Sequence, residues 1–154
     1  MGQVGLTIRP AMPYEADRLS HICFRAMAYR GSTTELLNGL EETDHFSVSP
    51  DDIEANMAYV AEDEEEGDAV GFYLMRASEN ECVVNKFYVI PESVGEDARA
   101  HLFFHACEMA ETAGAECLTI EAEPEAMGFF EEMGAEPIGD SRAGAKFALL
   151  RLRL

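Results

Sequence analysis

The period of the apolar positions changes several times along the chain, and each change marks an element. Leu6–Arg9 reads as a short strand, which Pro10 and Pro13 interrupt. Between Tyr14 and Arg30 the apolar residues fall at Ala16, Leu19, Ile22, Cys23, Ala26 and Met27. That is the spacing of one buried helix face, and Gly31 stops the run. Ser32–Ser49 is irregular, with a short helix expected at Thr34–Leu40. Ser49 and Pro50 then open another helix, as N-cap and first helical residue. Met57–Glu62 reads as a strand. The acidic run from Glu62 to Asp68 is too charged to bury and reads as a solvated hairpin tip. Ala69–Arg76 and Glu81–Ile90 are rich in β-branched and aromatic residues, and the polar turn Ala77–Asn80 joins them as strands. Pro91 ends the second.

After a short loop, Asp97–Ala113 reads as a long helix with Leu102, Phe103, Ala106, Met109 and Ala110 on its buried stripe and Gly114 as its stop. Cys117–Ala122 is a strand, and Pro124–Met133 a short helix ended by Gly134. Ala135–Gly139 and Lys146–Leu154 are closing strands joined by the loop Asp140–Ala145. The order β, α, α, β, β, β, α, β, α, β, β predicts an α/β fold: antiparallel strands, then a β-α-β unit, in a mixed sheet with helices on both faces. With 154 residues, the chain suits a single domain over its whole length.

Charge narrows the partners. Thirty acidic residues stand against 11 basic ones, a net charge of −19. Such a field repels nucleic acid and anionic membranes, and suits solubility or attraction of a cationic substrate. An anionic cofactor would need local N–H groups or cations to outweigh it. No stretch approaches the roughly 20 apolar residues of a membrane span, and the N-terminus has no signal-peptide pattern. Cys23, Cys82, Cys107 and Cys117 lack C-x-x-C spacing and read as small buried thiols, which fits a reducing cytoplasm. His101, His105 and Glu108 share a helix face at metal-compatible spacing, but without H-E-x-x-H they read as solvated surface. Phe103, Phe104, Phe129 and Phe130 read as core.

Four passages, in this order, resemble the GCN5-related N-acetyltransferases: I-R-P at Ile8–Pro10, the strand pair A-V-G-F-Y-L-M-R and K-F-Y-V-I-P at Ala69–Arg76 and Lys86–Pro91, the loop and helix Val94–Phe103, and the run Leu118–Ala135. The resemblance covers nearly the whole chain. It implies a mixed, mostly antiparallel sheet of six to seven strands, and transfer of an acyl group from acetyl-CoA or another acyl-CoA to an amine. It also implies that Phe87, Tyr88 and Val89 line the pantetheine arm, with an N–H near Val89 steadying the oxyanion. Gly95, Glu96, Asp97, Ala98, Arg99 and Ala100 would present backbone N–H groups to the pyrophosphate at a helix start. Phe130 would flank the thioester. The acceptor is expected to be a small-molecule or peptide amine, with a cationic one suiting the acidic chain. Dimerisation is expected through the late strands.

The chain departs from that pattern in three places. Asp97 and Arg99 replace small residues of the loop, and Asp97 sets a carboxylate where phosphate would lie. Phe130 stands where the family usually has a tyrosine that protonates the leaving thiolate. Glu125 stands where asparagine is common. For general acid or base work, Glu81, Tyr73 and Tyr88 are the residues at hand. The departures leave two functions open: an N-acyltransferase acting by direct attack of the amine, or a binding module that keeps the fold and has lost the transfer.

Overall fold

The computed structural model describes residues 6–29, 48–64, 67–122, 126–140 and 148–154. Seven strands form among them: β1 Leu6–Pro10, β2 Met57–Asp63, β3 Ala69–Ser78, β4 Glu81–Val89, β5 Cys117–Ala122, β6 Glu136–Asp140 and β7 Ala148–Arg153. The helices are α1 Ala16–Tyr29, α2 Pro50–Ala55, α3 Pro91–Thr112 and α4 Met127–Glu132. The sheet order is β1-β2-β3-β4-β5-β7-β6. β4 and β5 are parallel, whereas β1/β2, β5/β7 and β6/β7 are antiparallel. By contact the chain divides into two compact units, Met1–Leu74 with Tyr88–Phe103, and Met75–Phe87 with Phe104–Leu154.

In the first unit, β1 pairs with β2 from Leu6↔Asp63 to Pro10↔Tyr59. A single 3₁₀ turn at Pro13–Glu15 precedes α1, so the predicted helix from Tyr14 resolves into two pieces. The Glu15 carboxylate accepts from the Met12 N–H at 2.9 Å. The Arg9 guanidinium donates to both Glu15 oxygens at 2.8 Å and to Glu62 at 2.9 Å. One arginine thereby ties β1, the turn and β2 together. α1 buries Leu19, Ile22 and Cys23 completely, the stripe expected from its periodicity. α2 opens as read: the Ser49 Oγ accepts from the Asp52 N–H at 3.1 Å, and Asp52 accepts in return from the Ser49 N–H at 2.9 Å. The acidic tip closes through Gly67, at φ +74, whose N–H donates to the Asp63 carbonyl at 2.7 Å. Glu62 is half-buried and Asp63 buried, so the solvated part of that run begins at Glu64, two residues later than predicted. The predicted helix Thr34–Leu40 lies outside the described residues.

In the second unit, β5 runs between β4 and β7. It pairs with β4 from Glu81↔Cys117 and with β7 from Cys117↔Arg153 to Ala122↔Ala148. β6 pairs with β7 and shifts register between Pro137 and Gly139. Leu118, Ile120 and Leu150 are fully buried, as are Ala106 and Ala110 from the later turns of α3. Gly114, at φ +89, ends α3 where the sequence placed its stop, and the Ala115 N–H closes on the Ala110 carbonyl at 3.0 Å. α4 is shorter than the predicted Pro124–Met133, and Pro124 falls outside the described residues. Among the described residues no helix is long and apolar enough to cross a membrane.

Candidate functional site

The site begins with β4. Its parallel ladder with β5 runs Glu81↔Cys117, Cys82↔Leu118, Val83↔Thr119 and Val84↔Ile120. β4 continues to Val89 and β5 to Ala122, so the two strands separate after Val84. At the same point the continuous burial of Cys82–Val84 gives way to the half-buried Asn85 and Lys86 before resuming at Phe87. Toward β3, the Ile90 N–H donates to the Val70 carbonyl at 2.7 Å. The Tyr88 carbonyl faces Gly71, 3.0 Å from where a Cβ would stand on it. Backbone groups alternate in direction along an antiparallel strand, so the N–H and C=O of Val89 point away from β3.

The chain then enters α3 at once. The sequence predicted a turn up to Asp97, yet the helix starts at Pro91 and runs 22 residues to Thr112. Gly95, Glu96, Asp97, Ala98, Arg99 and Ala100 therefore lie inside an α-helix. Helical N–H groups bond to the carbonyl four residues back, and the residue before the helix accepts the first such bond, which commits the donors from Val94 onward to the helix itself. The N–H groups left over at the start are those of Glu92 and Ser93, because Pro91 has none. This corrects the expected loop, since the helix starts at Pro91 and not at Asp97. The physical reason lies in the sequence: a proline at the first helical position with acidic residues behind it favours a helix start. Ala98 is completely buried, and Arg99 and Ala100 are half-buried.

Phe130 sits in α4 and is 2% exposed. It meets Phe87 edge-on at 5.4 Å and Phe129 at 5.1 Å, while Phe87 and Phe129 stack at 6.0 Å. The second unit thus closes an aromatic cluster where the resemblance implies a hydroxyl. The para carbon of Phe130 carries no proton to donate.

The three candidate acid–base residues are not brought together. Glu81 is the first residue of β4, about 20 Å of strand from Phe87. Its carboxylate accepts from the Thr119 hydroxyl at 2.7 Å and lies 3.7 Å from the Arg151 guanidinium. It holds β4, β5 and β7 together at the closed end of the ladder, which makes it a structural carboxylate. Tyr73 is fully buried in β3 and stacks on Tyr59 at 5.6 Å. Tyr88 packs against Phe72 at 6.1 Å. The cysteines are free thiols. Burial pushes the Cys82 thiol up, and it pushes the half-buried Cys107 up to about 11, so neither is an activated nucleophile. Among the described residues no cluster of histidine, cysteine or carboxylate side chains is placed to hold a metal ion.

Two residues escaped the sequence reading. Thr119, the buried partner of Glu81, has no sequence signal. Gly71 had one, since glycine in a strand interior marks a close backbone approach.

A mixed seven-stranded sheet whose two central parallel strands separate halfway is the fold of the GCN5-related N-acetyltransferases, and this chain has that fold. Among solved structures, PaiA N-acetyltransferase from Thermoplasma acidophilum in complex with coenzyme A is similar over 97% of this chain and 99% of its own, at 11% identity and a TM-score of 0.81. A GCN5-related N-acetyltransferase from Rhodopseudomonas palustris is 18% identical over 100% of this chain and 99% of its own, with a TM-score of 0.75. The ribosomal-protein-S18-alanine N-acetyltransferase from Escherichia coli is 16% identical, covers 97% and 94%, and has a TM-score of 0.67. No family model and no curated protein matches the chain.

Proposed function

We propose that the protein is an acyl-CoA-dependent N-acyltransferase in which an amine attacks the thioester carbonyl directly. The observation that carries this reading is the early end of the β4–β5 ladder, with the Val89 backbone turned away from β3. In the proposal the pantetheine arm of acyl-CoA lies along β4 at Phe87, Tyr88 and Val89. The Val89 N–H is the candidate donor to the developing oxyanion. The pyrophosphate end meets the first turn of α3, where the macrodipole and the N–H groups of Glu92 and Ser93 favour an anion. The neighbouring folds named above, one of them holding coenzyme A, support acyl-CoA as the co-substrate class. The net charge of −19 supports a cationic amine as acceptor. Thiols without pairing motifs support a cytoplasmic setting.

The leaving thiolate departs without help from Phe130. A positioned general acid is worth about 10²–10⁴-fold, so the rate is expected to be low, and Phe130→Tyr is expected to raise it if the hydroxyl reaches the sulfur. A thermal-shift titration with acetyl-CoA and desulfo-CoA tests the binding half. Millimolar ligand on a micromolar site stabilises by about 4 kcal/mol, and no shift at millimolar ligand rejects the proposal.

A second reading has its own observation in favour. The α-helical start at Pro91 takes up the donors of Gly95–Ala100 that the resemblance assigns to pyrophosphate. On that reading the fold serves binding alone. Release of free thiol from acetyl-CoA with a mixture of amines separates the two: binding without release favours the module, and release favours the enzyme.

A further inference from the structure

Gly71 lies in the middle of β3 and faces the end of β4. A Cβ placed on it would stand 2.8 Å from Val89 Cγ2, 3.0 Å from the Tyr88 carbonyl oxygen and 3.3 Å from Val89 Cα. Cross-strand neighbours ordinarily keep their own Cβ atoms about 4.5–5.5 Å apart, with backbone further off. The end of β4 therefore lies so close to β3 that a side chain at 71 requires the Val89 methyl to turn and the Tyr88–Val89 backbone to give by a few tenths of an ångström. Two of the three contacts are backbone, which cannot rotate aside as a side chain does. The close approach falls after Val84, where the ladder with β5 has ended and β4 depends on β3 for its course. The Ile90 N–H bond to Val70 fixes the same stretch from its other end.

We infer that Gly71 is a positioning residue of the acyl-CoA site: by lacking a side chain it holds Tyr88 and Val89 against β3 and so sets where the Val89 N–H points. The inference rests on the acyl-CoA reading above, and the experiment keeps the two failures apart. A side chain at 71 would displace the Tyr88–Val89 backbone by a few tenths of an ångström. Misplacement by about 1 Å costs on the order of 10²-fold in rate, so a smaller loss is expected here.

The experiment measures desulfo-CoA binding by calorimetry, with amide spectra recorded without ligand, on wild type, Gly71→Ala, Val89→Ala, the double variant and Ile22→Val. The last thins the buried α1 core and serves as a stability control. Gly71→Ala is expected to weaken binding roughly three-fold or more, to shift the amide signals of Val89 and Ile90, and to speed exchange at Ile90. Because the nearest clash is with a Val89 methyl, Val89→Ala is expected to restore part of the loss in the Gly71→Ala background. The double variant should still bind less tightly than Val89→Ala alone, since the Tyr88 carbonyl remains in the way. Ile22→Val should lower the melting temperature without moving the affinity, so a loss of affinity in Gly71→Ala that this control lacks is not a consequence of lower stability alone.

Folded Gly71→Ala that binds within about two-fold of wild type overturns the inference. Should that variant fail to fold, the double variant against Val89→Ala carries the comparison, and equal affinity overturns it. If wild type itself binds no desulfo-CoA, the acyl-CoA reading falls. The inferred course of β4 is then judged by the amides alone: unmoved signals at Val89 and Ile90 reject it.

Discussion

Three turns of this chain open on a proline, and they divide into two regions with different lessons. At the β1–β2 corner, Pro13 and Pro50 each start a short helical piece whose orphan N–H groups are met by visible partners. Glu15 reaches back to the Met12 N–H, and Ser49 and Asp52 exchange hydrogen bonds. After β4, Pro91 starts α3 in the same way, yet the sequence reading passed over it. A glycine at 95 and a likeness to a phosphate-binding turn outweighed a start signal that had been accepted at Pro50. The local rule held in all three places. A resemblance is weakest at the segment where the motif residues themselves have changed, and there the local physics should be given the greater weight.

The corner can be broken most severely at Arg9. Arg9→Met leaves the Glu15 and Glu62 carboxylates without their charged donor at a partly buried site. The expected cost is about 2 kcal/mol, since hydrogen bonds to charged groups are worth roughly 1.5–3 kcal/mol and surface exposure reduces that. The Arg9 guanidinium, followed by the Met12 N–H, holds the Glu15 carboxyl below the usual carboxylate range against the opposing effect of burial. A carboxylate depressed on folding contributes stability above its unfolded pKa of about 4.3, and that contribution is lost as pH falls through the folded value. Urea midpoints at neutral pH should therefore separate wild type from Arg9→Met, and the gap should close below about pH 4. A gap that persists into acid would mean that Arg9 acts through packing of its stem alone.

Ser49→Ala is the milder break. It removes the cap of α2 and should cost about 1 kcal/mol. Because α2 is short, from Pro50 to Ala55, the loss should show as faster amide exchange along that helix as well as a lower midpoint. Unchanged exchange would make Pro50 and the packing of Ile53 sufficient by themselves.

Much of the fold was legible because it rests on local periodicity and on punctuation. The stripe of α1, the cap at Ser49, the stop at Gly114 and the limits of β5 all follow from residues within a few positions of one another. The first closing strand begins and ends one residue later than predicted, and the predicted start of the last one, Lys146, lies outside the described residues. The site was less legible because its geometry comes from pairing between distant residues. That β4 leaves β5 after Val84, that Thr119 occupies Glu81, and that Gly71 lets β4 approach β3 are facts of register. Sequence spacing carries no register information between β4 and β5, which a long helix separates, and along the β3–β4 hairpin only the glycine at 71 hinted at the close approach. Phe130 was read correctly as core and still bears on function, because the cluster with Phe87 and Phe129 buries the position where a hydroxyl would act.

The smallest expected effect is also the one that bears most directly on the comparison between Pro50 and Pro91. In a helix interior, glycine is less favourable than alanine by about 0.5–1 kcal/mol. If residue 95 is helical, Gly95→Ala should stabilise the protein by that amount and raise its melting temperature by roughly 1–4 °C. If residue 95 instead belongs to a turn with left-handed backbone, the same change should destabilise it. The sign decides between helix and turn without any ligand. Acyl-CoA binding adds a second reading of the same variant. A cofactor that docks on the helix as it stands gains or loses nothing from the extra helical preference. One that must first unwind the turn binds more weakly by the factor equivalent to the added stability, about two- to five-fold. Stabilisation with unchanged affinity would place the anion on Glu92 and Ser93 at the helix start. Stabilisation with weakened affinity would mean that the donors of Gly95–Ala100 are released on binding, and the turn implied by the resemblance would be the bound state of the same segment.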